Sequence, residues 1–203
     1  MNEIRVLIAD DQALVRAGLA ALLDLEPDLT VVAQAANGEE AVALAGDLPV
    51  DVALLDIEMP GLTGLEATER IVAAGRGTRC LMVTTFDRPG YLRRAFDAGA
   101  SGFVVKDTPA AELAEAIRKV HAGLRVVDPA LAEKSLLAGP NPLTPREQDV
   151  LREASHGASA GQIGRALHLS AGTVRNHLSS AIGKTGTANR TEAVAVAARN
   201  GWL

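Results

Sequence analysis

Val52-Ala53-Leu54-Leu55-Asp56-Ile57-Glu58-Met59-Pro60-Gly61 places an unbroken apolar run, an acidic residue directly at its end, a second two positions on and a Pro-Gly break in sequence. A short apolar run closed by turn residues reads as a strand buried on both faces, the kind found in parallel sheets. Outward from it the same unit recurs through the first 120 residues, a β-branched run followed by an Ala/Leu-rich segment of helical period. The pattern predicts strands at about 4–9, 30–35, 51–56, 79–84 and 101–105, and helices at about 12–25, 37–47, 62–74, 89–98 and 108–122. Asn37 followed by Glu40 has the form of an N-cap with its capping partner, and Pro27 and Pro49 fall just past helices. Five βα units imply an α/β fold with a doubly wound parallel sheet covered on both sides.

Polar residues with chemistry cluster at the predicted strand ends: Asp10 and Asp11 after the first, Asp56 after the third, Thr84 at the fourth and Lys106 after the fifth. In an open parallel sheet the carboxyl edge, where strand order reverses, is the ligand-binding edge. Three carboxylates gathered there repel by about 4 kcal/mol per pair at 4 Å and an effective dielectric of 20. A hard divalent cation with oxygen ligands offsets that repulsion, and Mg²⁺ is the natural candidate. Lys106 adds a fixed positive charge, and Thr84 a hydroxyl able to donate to a phosphoryl oxygen. A carboxylate beside such a cation can attack phosphorus to form an aspartyl phosphate, and Asp56 is the central one. Taken singly, each aspartate can equally be a cap for the helix that follows, and a Phe such as Phe103 on a strand can equally be core.

From about 123 to 142 the alternation fades among Gly123, Pro129, Gly139, Pro140 and Pro142, which predicts a linker with a short helix at 129–138. Beyond Leu143 the strands vanish and four helical segments follow, at about 144–155, 159–166, 170–184 and 190–200. Thr144-Pro145-Arg146-Glu147 is a capping box with Pro in the first turn, and Ser159 and Ser170 open the next two helices. Two helices joined at His168-Leu169-Ser170 fit a helix-turn-helix. The second presents polar Thr173, Arg175, Asn176, Ser179 and Lys184, while Val174, Leu178 and Ile182 recur every four residues towards a small core. Arg175 and Asn176 suit guanine and adenine edges in the major groove, and Lys184 and Arg190 suit phosphates. A solvated helix face is the plain alternative.

Composition sets limits. The 203 residues are 48% hydrophobic and 22% charged, the balance of a globular protein. No stretch approaches the ~20 apolar residues that span a bilayer, the N-terminus lacks a signal-peptide pattern, and one cysteine, Cys80, permits no intrachain disulfide, so a cytoplasmic protein is expected. Net charge is −5, but residues 1–139 carry 13 Lys/Arg against 21 Asp/Glu whereas 140–203 carry 7 against 4. An acidic front half and a basic back half suit a regulator joined to a nucleic-acid reader.

Ile8-Ala9-Asp10-Asp11, the Leu55–Gly61 stretch, Met82-Val83-Thr84-Thr85 and Gly102-Phe103-Val104-Val105-Lys106 together resemble the receiver domain of bacterial response regulators, over residues 3–120. The resemblance implies a flavodoxin-like (βα)5 receiver at 1–120 in which Asp56 is the phosphoacceptor. It also implies that Asp11 and Asp56 bind Mg²⁺ directly, that Asp10 helps through water, and that Glu58 offers its backbone carbonyl. Thr84 and Lys106 would grip the phosphoryl group and Phe103 would be the switch aromatic. After a linker at 121–140, residues 141–203 resemble a LuxR-type helix-turn-helix on Leu143-Thr144-Pro145-Arg146-Glu147, Leu169–Leu178 and Asn189-Arg190-Thr191-Glu192-Ala193. The halves together resemble the NarL/FixJ class, in which positions matching Arg175, Asn176 and Ser179 face bases. Within it, Thr84–Tyr91, Asn141-Pro142-Leu143-Thr144 and the ending Gly201-Trp202 resemble the DesR-like subgroup. The implied partners are a sensor histidine kinase, promoter DNA and a second copy of the chain, with no membrane.

Two departures stand out. Gly161 and Gly164 occupy positions where the class has better helix formers, each at a cost of up to ~1 kcal/mol, and Ser179 is shorter than the lysine some relatives carry. Two rival readings stay open on the residues alone: an aspartyl-phosphate phosphatase, for which no dedicated general acid or substrate cap is visible, and a DNA-binding protein whose receiver dimerises without phosphorylation.

Overall fold

The computed structural model describes residues 3–85, 89–138 and 141–203. Phe86-Asp87-Arg88 of the subgroup motif and Gly139-Pro140 of the predicted linker lie outside the described residues. The chain divides into two compact units, the first built from most of residues 3–133 and the second running from Lys134 onward.

The first unit alternates β1 (Ile4–Ala9), α1 (Ala13–Leu23), β2 (Leu29–Ala35), α2 (Gly38–Asp47), β3 (Val52–Leu55), α3 (Gly64–Ala73), β4 (Arg79–Thr84), α4 (Pro89–Asp97), β5 (Gly102–Val105), α5 (Ala110–His121) and β6 (Val126–Val127). All pairings are parallel, in the order β2-β1-β3-β4-β5-β6. Strand order therefore reverses at β1, and the register pairing Ala9 with Leu55 brings the residues that follow both strands side by side. Val52, Ala53, Leu54 and Leu55 are all buried, as the unbroken apolar run requires. Asn37 caps α2 by accepting the Glu40 N–H, and the Glu40 carboxylate returns to the Ala36 N–H. No helix among the described residues is long and apolar enough to cross a membrane.

The expectation of five strands and an irregular linker after residue 122 needs correction. Val126 and Val127 form a sixth strand beside β5, with the Val126 N–H donating to Ser101 O and the Asp128 N–H to Phe103 O, both at 3.2 Å. Two β-branched residues between Gly123 and Pro129 are too few to show a period, but an open strand edge supplies the ladder that fixes them. Asp128 Oδ1 then accepts the Ala130 and Leu131 N–H groups and caps α6 (Pro129–Ala138).

The second unit contains α7 (Pro145–Ser155), α8 (Ala160–Ala166), α9 (Ala171–Thr185) and α10 (Arg190–Arg199). Thr144, Ser159, Ser170 and Asn189 each accept a backbone N–H at the start of their helix, and the first two complete capping boxes with Glu147 and Gln162. The core is aliphatic and small, around Val150, Leu151, Ile163, Val174, Ala181, Ala193 and Ala197. Between α8 and α9 the chain turns through His168, whose φ of 56° is left-handed, and the Leu169 N–H reaches Gly164 O at 2.8 Å. A Cβ on Gly164 would meet Leu169 O at 2.6 Å. This glycine is thus the contact that lets the turn close, a role its helix-propensity cost alone does not reveal. Gly161 has open space where its Cβ would be.

Candidate functional site

The carboxyl edge of the sheet gathers the acidic residues. Asp10 follows β1 and Asp56 follows β3, and the Asp56 N–H bonds Ala9 O at 2.9 Å. Oxygens of Asp10, Asp11 and Asp56 all lie within 4.8 Å of one another. Asp10 and Asp56 are buried, whereas Asp11 is exposed. Lys106, placed after β5 where its N–H bonds Thr84 O, extends its ammonium to Asp10 Oδ2 at 2.6 Å and Asp56 Oδ2 at 2.9 Å.

Each buried carboxylate divides its work. Asp10 Oδ1 accepts the Gln12 N–H at the start of α1, and Asp56 Oδ1 accepts the Ile57 N–H, while the second oxygen of each faces Lys106. The Asp10 contact is a local turn ahead of α1, whose N-cap is Gln12 with no side-chain cap bond. Burial pushes the Asp56 carboxyl above its ordinary range. Lys106 pulls it back only in part, and the Asp10 charge adds to the rise. Burial works to lower the Lys106 ammonium, but its hydrogen bonds to Asp10 and Asp56 outweigh burial and raise it, so it stays charged. The donor set consists of hard oxygens that repel one another, which fits an oxygen-loving divalent cation.

Thr84 is fully buried at the end of β4, and Phe103 is 1% exposed on β5, its ring inside the sheet's packing. Glu58 is exposed in the β3–α3 loop. Two residues that hold this loop escaped the sequence reading. Glu39 Oε1 accepts the Leu62 N–H at 2.9 Å. A Cβ on Gly64 would fall 1.8 Å from Asp56 O, so only glycine lets α3 begin so close to the acidic residue. Its signal was its place at the first position of α3, immediately after the Thr63 cap.

On the second unit, Arg175, Asn176 and Ser179 are exposed along α9, and Thr173 is half-buried with its hydroxyl 2.9 Å from that of Ser170. Lys184 and Arg190 are exposed and each has a partner within the unit. The Lys184 ammonium lies 2.9 and 2.8 Å from the two oxygens of Glu147, and Arg190 Nη1 donates to Ala158 O at 3.0 Å. Glu147 is 4% exposed, and its Oε1 also accepts the Ser180 hydroxyl at 2.7 Å. Burial works to raise its pKa, but Lys184, the Thr144 N–H and Ser180 outweigh burial and hold it at about 2.

The comparisons agree with this geometry. Residues 6–118 match the response regulator receiver domain, and residues 141–197 match the luxR family of bacterial regulatory proteins. The chain is 46% identical over 200 residues to the uncharacterized transcriptional regulatory protein YvfU of Bacillus subtilis, covering 98% of this chain and all of that one. It is 42% identical to the transcriptional regulatory protein DesR of the same organism, over 98% of this chain and 99% of that protein. Among solved structures, the response regulator ChrA of a heme-sensing two-component system superposes over the full length of both chains with a TM-score of 0.61 and 34% identity. With a parallel sheet presenting three carboxylates and a lysine, followed by a helix-turn-helix unit, the chain belongs to the two-component response regulators that join a receiver domain to a LuxR-type DNA-binding domain.

Proposed function

We propose that a sensor histidine kinase transfers a phosphoryl group to Asp56 and that the modified receiver promotes dimerisation and sequence-specific binding of promoter DNA. The observation that carries this reading is the meeting of Asp10, Asp11, Asp56 and Lys106 at the point where strand order reverses. A carboxylate oxygen of Asp56 attacks the phosphorus, the bond to the donor's histidine nitrogen breaks, and the imidazole leaves with the electron pair. Asp10, Asp11 and Asp56, with the Glu58 backbone carbonyl, would hold Mg²⁺, which when bound neutralises charge on the phosphoryl oxygens. Lys106, already tethered by two carboxylates, supplies a fixed cation to the phosphoryl group, and Thr84 supplies a hydroxyl donor. Phosphorylation adds about −1.5 to −2 of charge to a buried pocket, enough to redraw the contacts of Lys106 and to bias Thr84 and the neighbouring Phe103. The chain acts here as a phosphoryl acceptor and switch, without substrate turnover.

Dimerisation is supported by an apolar face left open on α1 and just beyond it, where Leu14 is 87%, Leu22 46% and Leu25 78% exposed. Two copies place two recognition helices on half-sites about one helical turn apart. Arg175 and Asn176, with Thr173 and Ser179 beside them, then face the bases. Intact mass after incubation with Mg²⁺ and acetyl phosphate tests the chemistry. Wild-type protein gains one phosphate, and Asp56→Ala gains none. A phosphate adduct of equal yield in the variant would move the acceptor elsewhere.

A further inference from the structure

Resting on the DNA-reading function proposed above, we infer that Glu147 is a positioning residue for the recognition helix. Its buried carboxylate grips Ser180 and Lys184 and so fixes the rotation at which α9 presents Arg175 and Asn176. Lys184 in this account works inside the domain, in place of the phosphate contact its charge invites.

The geometry supports this at both ends of the link. On α7, the carboxylate is oriented by the capping box, because its Oε2 accepts the Thr144 N–H at 2.8 Å while the Thr144 hydroxyl accepts the Glu147 N–H. On α9, Oε1 accepts the Ser180 hydroxyl at 2.7 Å and both oxygens meet the Lys184 ammonium. Ser180 and Lys184 are four residues apart, so they share one stripe of the helix and are separated by about 6 Å along its axis. A carboxylate that holds two points on one stripe resists rotation of the helix, since a slip of one residue, about 100°, would carry both donors away. Asn176 lies one turn earlier on that same stripe, and Arg175 and Ser179 lie on the adjoining one.

The apolar contacts of α9 set which face turns inward but restrain its rotation more coarsely. Val174, Leu178 and Ala181 bury the helix against the small core, but apolar burial is non-directional and Ala181 offers only a methyl group. Glu147 is the only carboxylate buried in the second unit among the described residues. A side chain of that kind is held where its geometry is needed, because its hydrogen bonds are directional where the surrounding contacts are not.

The test uses the full chain and two duplexes of equal length, one selected by wild-type protein from a random pool and one scrambled. Affinity for each is measured across salt concentrations for wild type, Glu147→Gln, Lys184→Met, the double variant and Ser180→Ala, with helical content and melting followed by circular dichroism. A loss of folded protein alone lowers both affinities together and leaves their ratio unmoved. The expected result is a fall of roughly tenfold in the selected-to-scrambled ratio for Glu147→Gln and for Lys184→Met, with no further fall in the double variant and salt slopes unchanged. Ser180→Ala, which removes one hydroxyl and leaves the ion pair, is expected to lower the ratio a few-fold and so reads the same link if the other variants do not fold. Lys184→Met that weakens binding to both duplexes equally and reduces the salt slope by about one would make Lys184 a phosphate contact and overturn the inference. Ratios unchanged in every folded variant would overturn it too. A wild-type protein that selects no sequence would overturn the DNA-reading function itself, and this inference with it.

Discussion

Lys106 faces two buried carboxylates, at 2.6 and 2.9 Å from Asp10 and Asp56. Removing one partner from a buried ion pair leaves charge without compensation, a cost of about 3–5 kcal/mol in general. Burial already holds the Asp56 carboxyl above its ordinary pKa, which makes its charged form less favourable. Lys106→Met is accordingly expected to lose about 3 kcal/mol or somewhat less in urea unfolding at neutral pH. Mg²⁺ at a hundred times its Kd should return about 2.7 kcal/mol, and a variant as stable as wild type without Mg²⁺ would contradict the repulsion argument. Glu147 makes the opposite prediction. Its folded pKa of about 2 lies below the ordinary 4.5, so the group contributes stability that is full above about pH 4.5 and is lost as pH falls from there towards 2. The difference in unfolding free energy between wild type and Glu147→Gln should shrink across that window and be flat between pH 5 and 7. A difference that does not change with pH would remove the ionised carboxylate from the account.

At the scale of elements, Gly161 and Gly164 separate helix propensity from packing within α8. Alanine is favoured over glycine in a helix interior by about 1 kcal/mol. Gly161 has open space around its Cβ position, so Gly161→Ala should raise the melting temperature of the second unit, with a gain of up to ~1 kcal/mol. Gly164→Ala should lower it despite the same propensity, because the new methyl meets the Leu169 carbonyl oxygen at 2.6 Å in the turn that leads into α9. Equal stabilisation by both substitutions would show that the turn relaxes freely. These elements also mark where the sequence was legible. Strand ends could be read because a parallel sheet delivers the residues after its strands to one edge, so Asp10, Asp11, Asp56 and Lys106 could be placed together from order alone. The helix starts at Thr144, Ser159 and Ser170 were legible because capping is local. The pair Glu147–Lys184 was not, since it joins residues 37 apart and no spacing rule links two helices across a core. Nor was the role of Gly164, because propensity describes an isolated helix, whereas its carbonyl neighbour comes from the following turn. The two-residue β6 left no pattern to read.

The whole molecule joins an acidic half, with 21 Asp/Glu against 13 Lys/Arg in residues 1–139, to a basic one, with 7 Lys/Arg against 4 Asp/Glu in residues 140–203. A single small domain with so modest a charge has little electrostatic hold on DNA, and in the proposed dimer the second contact would form at high effective concentration. The central claim is that the state of Asp56 sets the affinity for DNA. Its most direct test is the Kd for a selected duplex at fixed salt, measured for wild type and for Asp56→Asn, each with Mg²⁺ and with or without acetyl phosphate. The account predicts that the phosphodonor tightens binding by wild type at least tenfold and leaves Asp56→Asn unchanged. Equal affinity in all four conditions would contradict it and leave a DNA-binding protein whose receiver does not act through phosphorylation.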